Sequence, residues 1–274
     1  MGGTSFVRLF VFDIDQTLIP RGTSELRQAE IGAIRKLLAQ GDAVCLASGR
    51  PFVSLKHFLD EFGPGKKYLI CANGAAAYDE EGNCISSSCI SLKDLLYLNQ
   101  KYGSEKVYVY GYDTNSGLAI FYESIFSEIE VKLCRIDPKD FTFVKGDGSD
   151  DETMPLFKIV IASDEVTSSK LIIDAKDRER YLVNRSDPCF IEVLHQGIDK
   201  SVRVDKLREL LGLSAGDVYC FGDNGNDATM VAKFHGIAMA NATEECKAGA
   251  EFITKSCDEH GVPYALKNIL KVID

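Results

Sequence analysis

Basic residues are the scarcer charge in this chain: 31 Lys and Arg stand against 41 Asp and Glu, a formal net charge of −10. That deficit argues against a broad surface for nucleic-acid phosphates or anionic membranes. It says little about a small anionic substrate, because a few local cations and a metal outweigh the global field. Long apolar runs are also missing. None approaches the ~20 residues that span a bilayer, and the amino terminus lacks the basic region and apolar core of a secretion signal. Cysteine is not scarce, at nine residues, but paired spacing is. Cys45, Cys71, Cys89, Cys189 and Cys220 lie inside or beside apolar runs, as small buried thiols in a reducing compartment do. Cys84 and Cys89 lack a second pair of ligands to complete a metal site. Internal repeats and low-complexity tracts are absent. The expectation is a cytoplasmic protein with no nucleic-acid partner and no membrane partner, a monomer by default.

What is present begins at the first apolar run, which reaches Phe12 and then meets Asp13 and Asp15. Acids at the carboxyl end of a buried strand sit where open α/β sheets bind ligands, and buried carboxylates need a cation or neutralisation. A second cluster, Phe221–Asp227 (FGDNGND), follows another short apolar run. Together the two read as walls of one divalent-cation site. Between them the pattern changes. Residues 1–80 alternate strand and helix signals: helical spacing over Glu25–Gln40 closed by Gly41, a strand at Ala43–Ala47, a helix around Phe52–Phe62 and a strand at Tyr68–Ala72. Such alternation predicts βαβ units on a parallel sheet. Residues 81–196 are β-rich, with runs at Val107–Tyr110, Leu118–Tyr122, Phe157–Ala162, Tyr181–Asn184 and Cys189–Leu194 and helices at Leu92–Lys101 and Glu165–Asp177. Residues 197–274 return to βα alternation. The expected architecture is an α/β core from 1–80 and 197–274 with an α+β insert at 81–196.

Phosphate-ester hydrolysis needs a nucleophile, a proton donor, a metal and several groups on the phosphoryl oxygens, since a single acid or base supplies only ~10²–10⁴-fold. Asp13 is a candidate nucleophile through an aspartyl-phosphate, and Asp15 a candidate acid and base. Asp223 and Asp227 complete an oxygen shell for Mg²⁺. Ser48-Gly49-Arg50 after Ala43–Ala47 offers a phosphate cradle, although Ser-Gly is also a common turn and cap. Lys200 is a point charge available to phosphate, or a solvated lysine, and Asn73-Gly74 reads equally as a turn. Arg185, Asp187 and His195 are candidate substrate contacts in the insert, with an exposed turn as the competing reading.

The motifs DIDQTL (13–18), ASGRP (47–51), CANGAAAYD (71–79), GIDKS (197–201) and FGDNGND (221–227) resemble, in order, those of the haloacid dehalogenase superfamily. IAMANATEECKAGAEFIT (237–254) and DEHGVPYAL (258–266) are similar to its Cof-type branch, subfamily IIB with a C2B cap. The resemblance covers nearly the whole chain and is weakest within 81–196. It implies a Rossmann-like, doubly wound parallel-sheet core, an inserted α+β cap and a Mg²⁺-dependent phosphatase acting on a small phosphorylated metabolite. It implies Asp13 as nucleophile and Asp15 as general acid/base. Asp13, Asp223 and the Asp15 carbonyl would hold Mg²⁺, and Asp227 would orient its waters. Ser48, Lys200 and amides near Gly49 would bind phosphoryl oxygens, Asn226 would support the metal loop, and Asn73 and Arg50 would lie near substrate and cap. Gln16 departs from the pattern, because relatives most often have Gly there. A phosphomutase and a receiver-like phosphate-binding regulator remain as alternatives. Asp15 has no purpose in a regulator that must keep its phosphoryl group.

Overall fold

The apolar run before Asp13 forms strand β1 (Leu9–Phe12), whose four side chains are fully buried. The computed structural model describes residues 8–113, 118–120 and 141–274. Helix α1 (Gln28–Ala39) buries Ile31, Ile34, Leu37 and Leu38 on one face. Gly41, just past its end, takes φ 89°, the left-handed turn a glycine allows there. Next come β2 (Ala43–Ala47), α2 (Lys56–Glu61), β3 (Lys67–Cys71), β4 (Ala76–Asp79) and β5 (Cys84–Ser87). The helix expected over Phe52–Phe62 starts late. Ser54 donates from both N–H and Oγ to the Pro51 carbonyl, at 3.1 and 2.9 Å, and closes a 3₁₀ turn at Phe52–Ser54 instead.

The middle of the chain contributes β6 (Ile90–Ser91), α3 (Leu92–Tyr102), β7 (Val107–Asp113), β8 (Leu118–Ile120), β9 (Phe141–Phe143) and β10 (Pro155–Ser163). After it come α4 (Glu165–Lys170), α5 (Ala175–Arg180), β11 (Tyr181–Asp187) and β12 (Phe190–His195). The strand expected at Leu118–Tyr122 is described as far as Ile120, and its last two residues lie outside the described ones. The single helix expected over Glu165–Asp177 is two, because Asp174 caps α5 by accepting from the Asp177 N–H. The chain ends with α6 (Lys200–Leu210), β13 (Val218–Gly222), α7 (Ala228–Lys233), β14 (His235–Ala238) and β15 (Phe252–Ile253), among shorter turns.

Two compact units result. The first takes the described residues up to Gly49, then Leu55–Ser86 and Asp199–Asp274; the second takes Arg50–Ser54 and Ser87–Ile198. The first sheet runs β15-β14-β13-β1-β2-β3-β4-β5. It is parallel from β15 to β3, and β4 pairs antiparallel with β3. The chain winds outward from β1 through β2 to β3, returns to β13 beside β1, and winds outward the other way. This is a doubly wound α/β fold, and its switch point, where such sheets bind ligands, lies between β1 and β13. The sheet extends past residue 80, because β5 joins it. The second unit holds a sheet of order β11-β12-β10-β7-β8-β9 with β6 on β10. Its pairs are antiparallel except β8 with β9. Alternate residues Ile159, Ile161, Ile191 and Val193 pack against Leu92, Leu95 and Leu98 of α3, so that unit has its own core. Among the described residues no helix is long and apolar enough to cross a membrane.

Candidate active site

Cross-strand aromatic pairs set the register at the switch point. Phe10 stacks on Tyr219 at 5.0 Å and Phe12 meets Phe221 at 4.9 Å between ring centroids. The Asp13 N–H then donates to the Phe221 carbonyl at 3.0 Å, so Asp13 and Asp223 leave adjacent strand ends. Beyond β13 the chain folds back. A Cβ on Gly222 would lie 2.4 Å from that of Asp227, so only glycine permits the return. The Asp227 Oδ2 accepts from the N–H groups of Asp223 and Asn224 at 3.1 and 3.0 Å. Carboxylate oxygens of Asp13, Asp223 and Asp227 all lie within 4.8 Å of one another.

Into this cluster comes Lys200, the first residue of α6, whose N-cap Asp199 accepts from the Val202 N–H at 2.8 Å. Lys200 is 0% exposed, and its Nζ donates to Asp13 Oδ1 and Asp227 Oδ1, both at 2.6 Å. Thr17 Oγ1 donates to Asp223 Oδ1 at 2.8 Å. Burial pushes the Asp13 carboxyl well above the usual range, and the neighbouring charges of Asp227 and Asp223 push it further, against the pull of Lys200. Asp223 is pushed up to about 6, first by burial and then by Asp227, with the Thr17 bond opposing. Burial opposes the Lys200 charge, but attraction to Asp13 and Asp227 outweighs it and its pKa is raised. With all three carboxylates ionised, the one ammonium would leave two negative charges uncompensated, which is why burial and mutual repulsion push Asp13 and Asp223 up. One divalent cation matches that deficit, and an all-oxygen donor set suits Mg²⁺.

The other expected residues divide. Ser48 is buried at the end of β2; its N–H donates to the Ile70 carbonyl and its carbonyl accepts from the Asn73 N–H, at 2.9 and 3.0 Å. Asn73 Oδ1 accepts from Asn226 Nδ2 at 3.0 Å, and a Cβ on Gly49 would approach that same oxygen to 3.0 Å. Ser48, Gly49, Asn73 and Asn226 are therefore one cluster. Arg50 instead groups with the second unit. The Asp15 carboxylate is exposed and is not part of the three-carboxylate cluster. Gln16 sits at φ 65°, its N–H donating to the Ile19 carbonyl at 2.7 Å. That is a left-handed position, which any residue but Gly fills under strain.

In the second unit, Arg185 lies in a strand and not in a turn, donating through Nη2 to the Ser168 carbonyl at 3.0 Å. His195 ends β12 exposed, and the side chain of Asp187 lies outside the described ones. Sequence reasoning passed over three contributors: Thr17, Arg203 of α6 and Asn241, whose Nδ2 donates to the Gln16 carbonyl at 3.0 Å. Only Thr17 carried a signal, its place two residues after Asp15.

Comparison with known proteins places the chain in a family and matches its fold. The family of haloacid dehalogenase-like hydrolases matches residues 10–266. YxeH of Bacillus subtilis strain 168, named as a candidate phosphatase, is 31% identical over 277 residues, covering 96% of this chain and 98% of YxeH. The crystal structure of a haloacid dehalogenase-like hydrolase from Bacteroides thetaiotaomicron superposes with a TM-score of 0.83 at 26% identity, over 96% of this chain and 99% of that one. The subclass IIB sugar phosphatase BT4131 shares the fold with a TM-score of 0.78 at 22% identity, over 97% of this chain and 100% of its own. The chain belongs to the haloacid dehalogenase-like hydrolase family and is a phosphatase within it.

Proposed function

We propose that this phosphatase is Mg²⁺-dependent and hydrolyses small phosphorylated metabolites, sugar phosphates among them, through an aspartyl-phosphate on Asp13. The observation that carries the reading is the buried Lys200 ammonium held 2.6 Å from both Asp13 and Asp227, with Asp223 in the same oxygen cluster. Asp13 would attack phosphorus, and the bond to the leaving oxygen breaks as Asp15 gives that oxygen its proton. Asp15 then takes a proton from water, which attacks the aspartyl-phosphate, releases inorganic phosphate and restores the Asp13 carboxylate. An exposed Asp15 suits a group that must meet both leaving group and water. Lys200, Ser48 and amides near Gly49 hold phosphoryl oxygens, while Asn226 and Asn73 brace the wall beside them. Mg²⁺, held by Asp13, Asp223 and the Asp15 carbonyl with Asp227 behind them, would neutralise charge on the phosphoryl group. The second unit, mainly Ser87–Ile198, serves as the cap that selects the leaving group. Unpaired thiols such as Cys45, Cys71 and Cys220 fit a cytoplasmic setting.

The test is phosphate release from an aryl phosphate and a panel of sugar phosphates, with Mg²⁺ and after chelation. Chelation is expected to lower turnover by about 10³-fold, the scale of a metal's charge stabilisation. Full activity without metal would remove Mg²⁺ from the reading.

Metal affinity should depend on pH. Burial and Asp227 push the Asp223 carboxyl up to about 6 from an ordinary 3.8, so below about pH 6 the metal must displace a proton. The half-saturating Mg²⁺ concentration is expected to rise at least about tenfold from pH 7.5 to 5.0, the effect of the Asp223 proton alone, to which the raised Asp13 carboxyl adds. Stability moves the other way. Over that window the folded metal-free state binds more protons than the unfolded one, so its stability rises as pH falls through about 6. A flat Mg²⁺ requirement across this range would contradict the assignment of Asp223 as ligand.

Gln16→Gly relieves left-handed strain of about 1 kcal/mol and adds unfolded-state entropy of about the same size. Tm is expected to move by less than about 3 °C and turnover to stay within about tenfold. Complete loss of turnover would give the Gln16 side chain a part in the chemistry.

A further inference from the structure

Helix α6 buries a second cation one turn beyond Lys200. Arg203 is 3% exposed. Its Nε donates to the Gly74 carbonyl at 2.7 Å, its Nη2 to the Ala75 carbonyl at 3.1 Å, and its Nη1 to Ser86 Oγ. Burying a guanidinium is expensive unless its donors are satisfied. Here its planar fork grips two successive main-chain carbonyls and a hydroxyl, a geometry that an ammonium cannot reproduce.

The gripped turn is unusual. Ala72, Asn73 and Gly74 are consecutive left-handed residues, with φ of 48°, 55° and 101°. For a residue with a Cβ that conformation costs about 1–2 kcal/mol, and it persists where surrounding structure holds it. Gly74 is pressed against the start of α6, since a Cβ there would lie 2.3 Å from the Asp199 carbonyl oxygen. At the tip of the turn stands Asn73, which touches Ser48 through its N–H and Asn226 through its Oδ1. Arg203 thus sits on the helix that presents Lys200 and holds the turn that presents Asn73.

We propose that Arg203 is a positioning residue of the phosphoryl site. It ties the Ala72–Ala75 turn to the helix of Lys200, and so sets the spacing between the Lys200 ammonium and the wall formed by Ser48, Asn73 and Asn226. It touches no reacting atom. The proposal rests on the phosphatase reading above for the identity of the ligand. Loosening this tie weakens binding of the phosphoryl group itself, which substrate and inorganic phosphate share, whatever the leaving group.

Two variants test it, Arg203→Met, which fills space without donors, and Arg203→Lys, which keeps the charge without the fork. The comparator is Leu207→Ala, a buried apolar residue of the same helix whose truncation lowers stability and removes no hydrogen bond to the turn. Each is measured for Tm, kcat, KM and the inhibition constant of inorganic phosphate. Both Arg203 variants are expected to lose roughly 10–100-fold in kcat/KM, the range for groups that orient a primary site, with KM and the phosphate constant raised together. Leu207→Ala is expected to keep wild-type KM and phosphate constant per folded molecule. Folded Arg203 variants with unchanged KM and phosphate constant overturn the proposal, and so does an equal shift in Leu207→Ala. If Arg203→Met does not fold, Arg203→Lys carries the same measurements. Calorimetric titration of wild type and Arg203→Lys with inorganic phosphate and Mg²⁺ decides the tie independently. An inactive wild type that binds phosphate more tightly than Arg203→Lys would reject the hydrolytic reading and keep the positioning role.

Discussion

Asp13→Asn is expected to lower turnover of an aryl phosphate by at least about 10⁴-fold while leaving the protein at least as stable as wild type. The activity loss follows from chemistry: an amide oxygen does not form the acyl-phosphate bond that a carboxylate forms. The stability result follows from the electrostatics of the site. Burial, Asp227 and Asp223 all work against an ionised Asp13, so removing its charge relieves more repulsion than it removes attraction. Lys200 keeps its 2.6 Å bond to Asp227 Oδ1 and stays paired. Phosphate-release kinetics and calorimetric melting in metal-free buffer check both halves. Turnover above about a tenth of wild type would reject Asp13 as nucleophile, and a large fall in Tm would mean that its carboxylate is structurally required.

The parts of this site legible in the sequence are those where composition conflicts with burial. Apolar residues running into Asp13, and again into Asp223 and Asp227, declare strand ends that need a cation. The two ends read together as walls of one cation site, and they are indeed neighbours; the Phe10–Tyr219 and Phe12–Phe221 pairs that fix their register are what no periodicity reveals. Lys200 was legible as a lysine before a helix. Its complete burial was not, because burial of a charged side chain depends on partners 27 and 187 residues away. Arg203 was invisible for a similar reason. A cation three residues after another reads as the solvated face of a helix, and only the Ala72–Ala75 turn converts it into an internal tie. In the fold, β4 and β5 went unseen because Ala76–Asp79 and Cys84–Ser87 are short and weakly patterned. The Asp79–Asn83 turn between them, with Asn83 donating to both Asp79 oxygens at 2.8 and 2.9 Å, is what pairs the segment onto the sheet. The long elements were readable for two reasons: α1 and α3 each have one face that must be buried, and β10 is a near-continuous apolar run, buried from Leu156 to Ser163.

Lys200→Met separates the two duties of the ammonium, counter-charge and phosphate contact. In the metal-free protein the variant leaves Asp13 and Asp227 buried without their shared cation. Removing one partner of a buried ion pair costs about 3–5 kcal/mol, a fall in Tm on the order of 10 °C for a chain of this size. Two perturbations should return part of that loss. Saturating Mg²⁺ supplies another cation to the same oxygens, so the Tm deficit shrinks when metal is present. Asp13→Asn added to Lys200→Met removes one of the two stranded carboxylates, so the double variant should melt above Lys200→Met alone. Neither should return activity, because an apolar side chain cannot meet a phosphoryl oxygen that the ammonium would have bound. Melting curves of wild type, both single variants and the double variant, with and without Mg²⁺, give the coupling directly. If Lys200→Met lost less than about 1 kcal/mol in metal-free buffer, the lysine would not be the charge that makes this crowded carboxylate site tolerable. Its 2.6 Å contacts would then count for substrate binding alone.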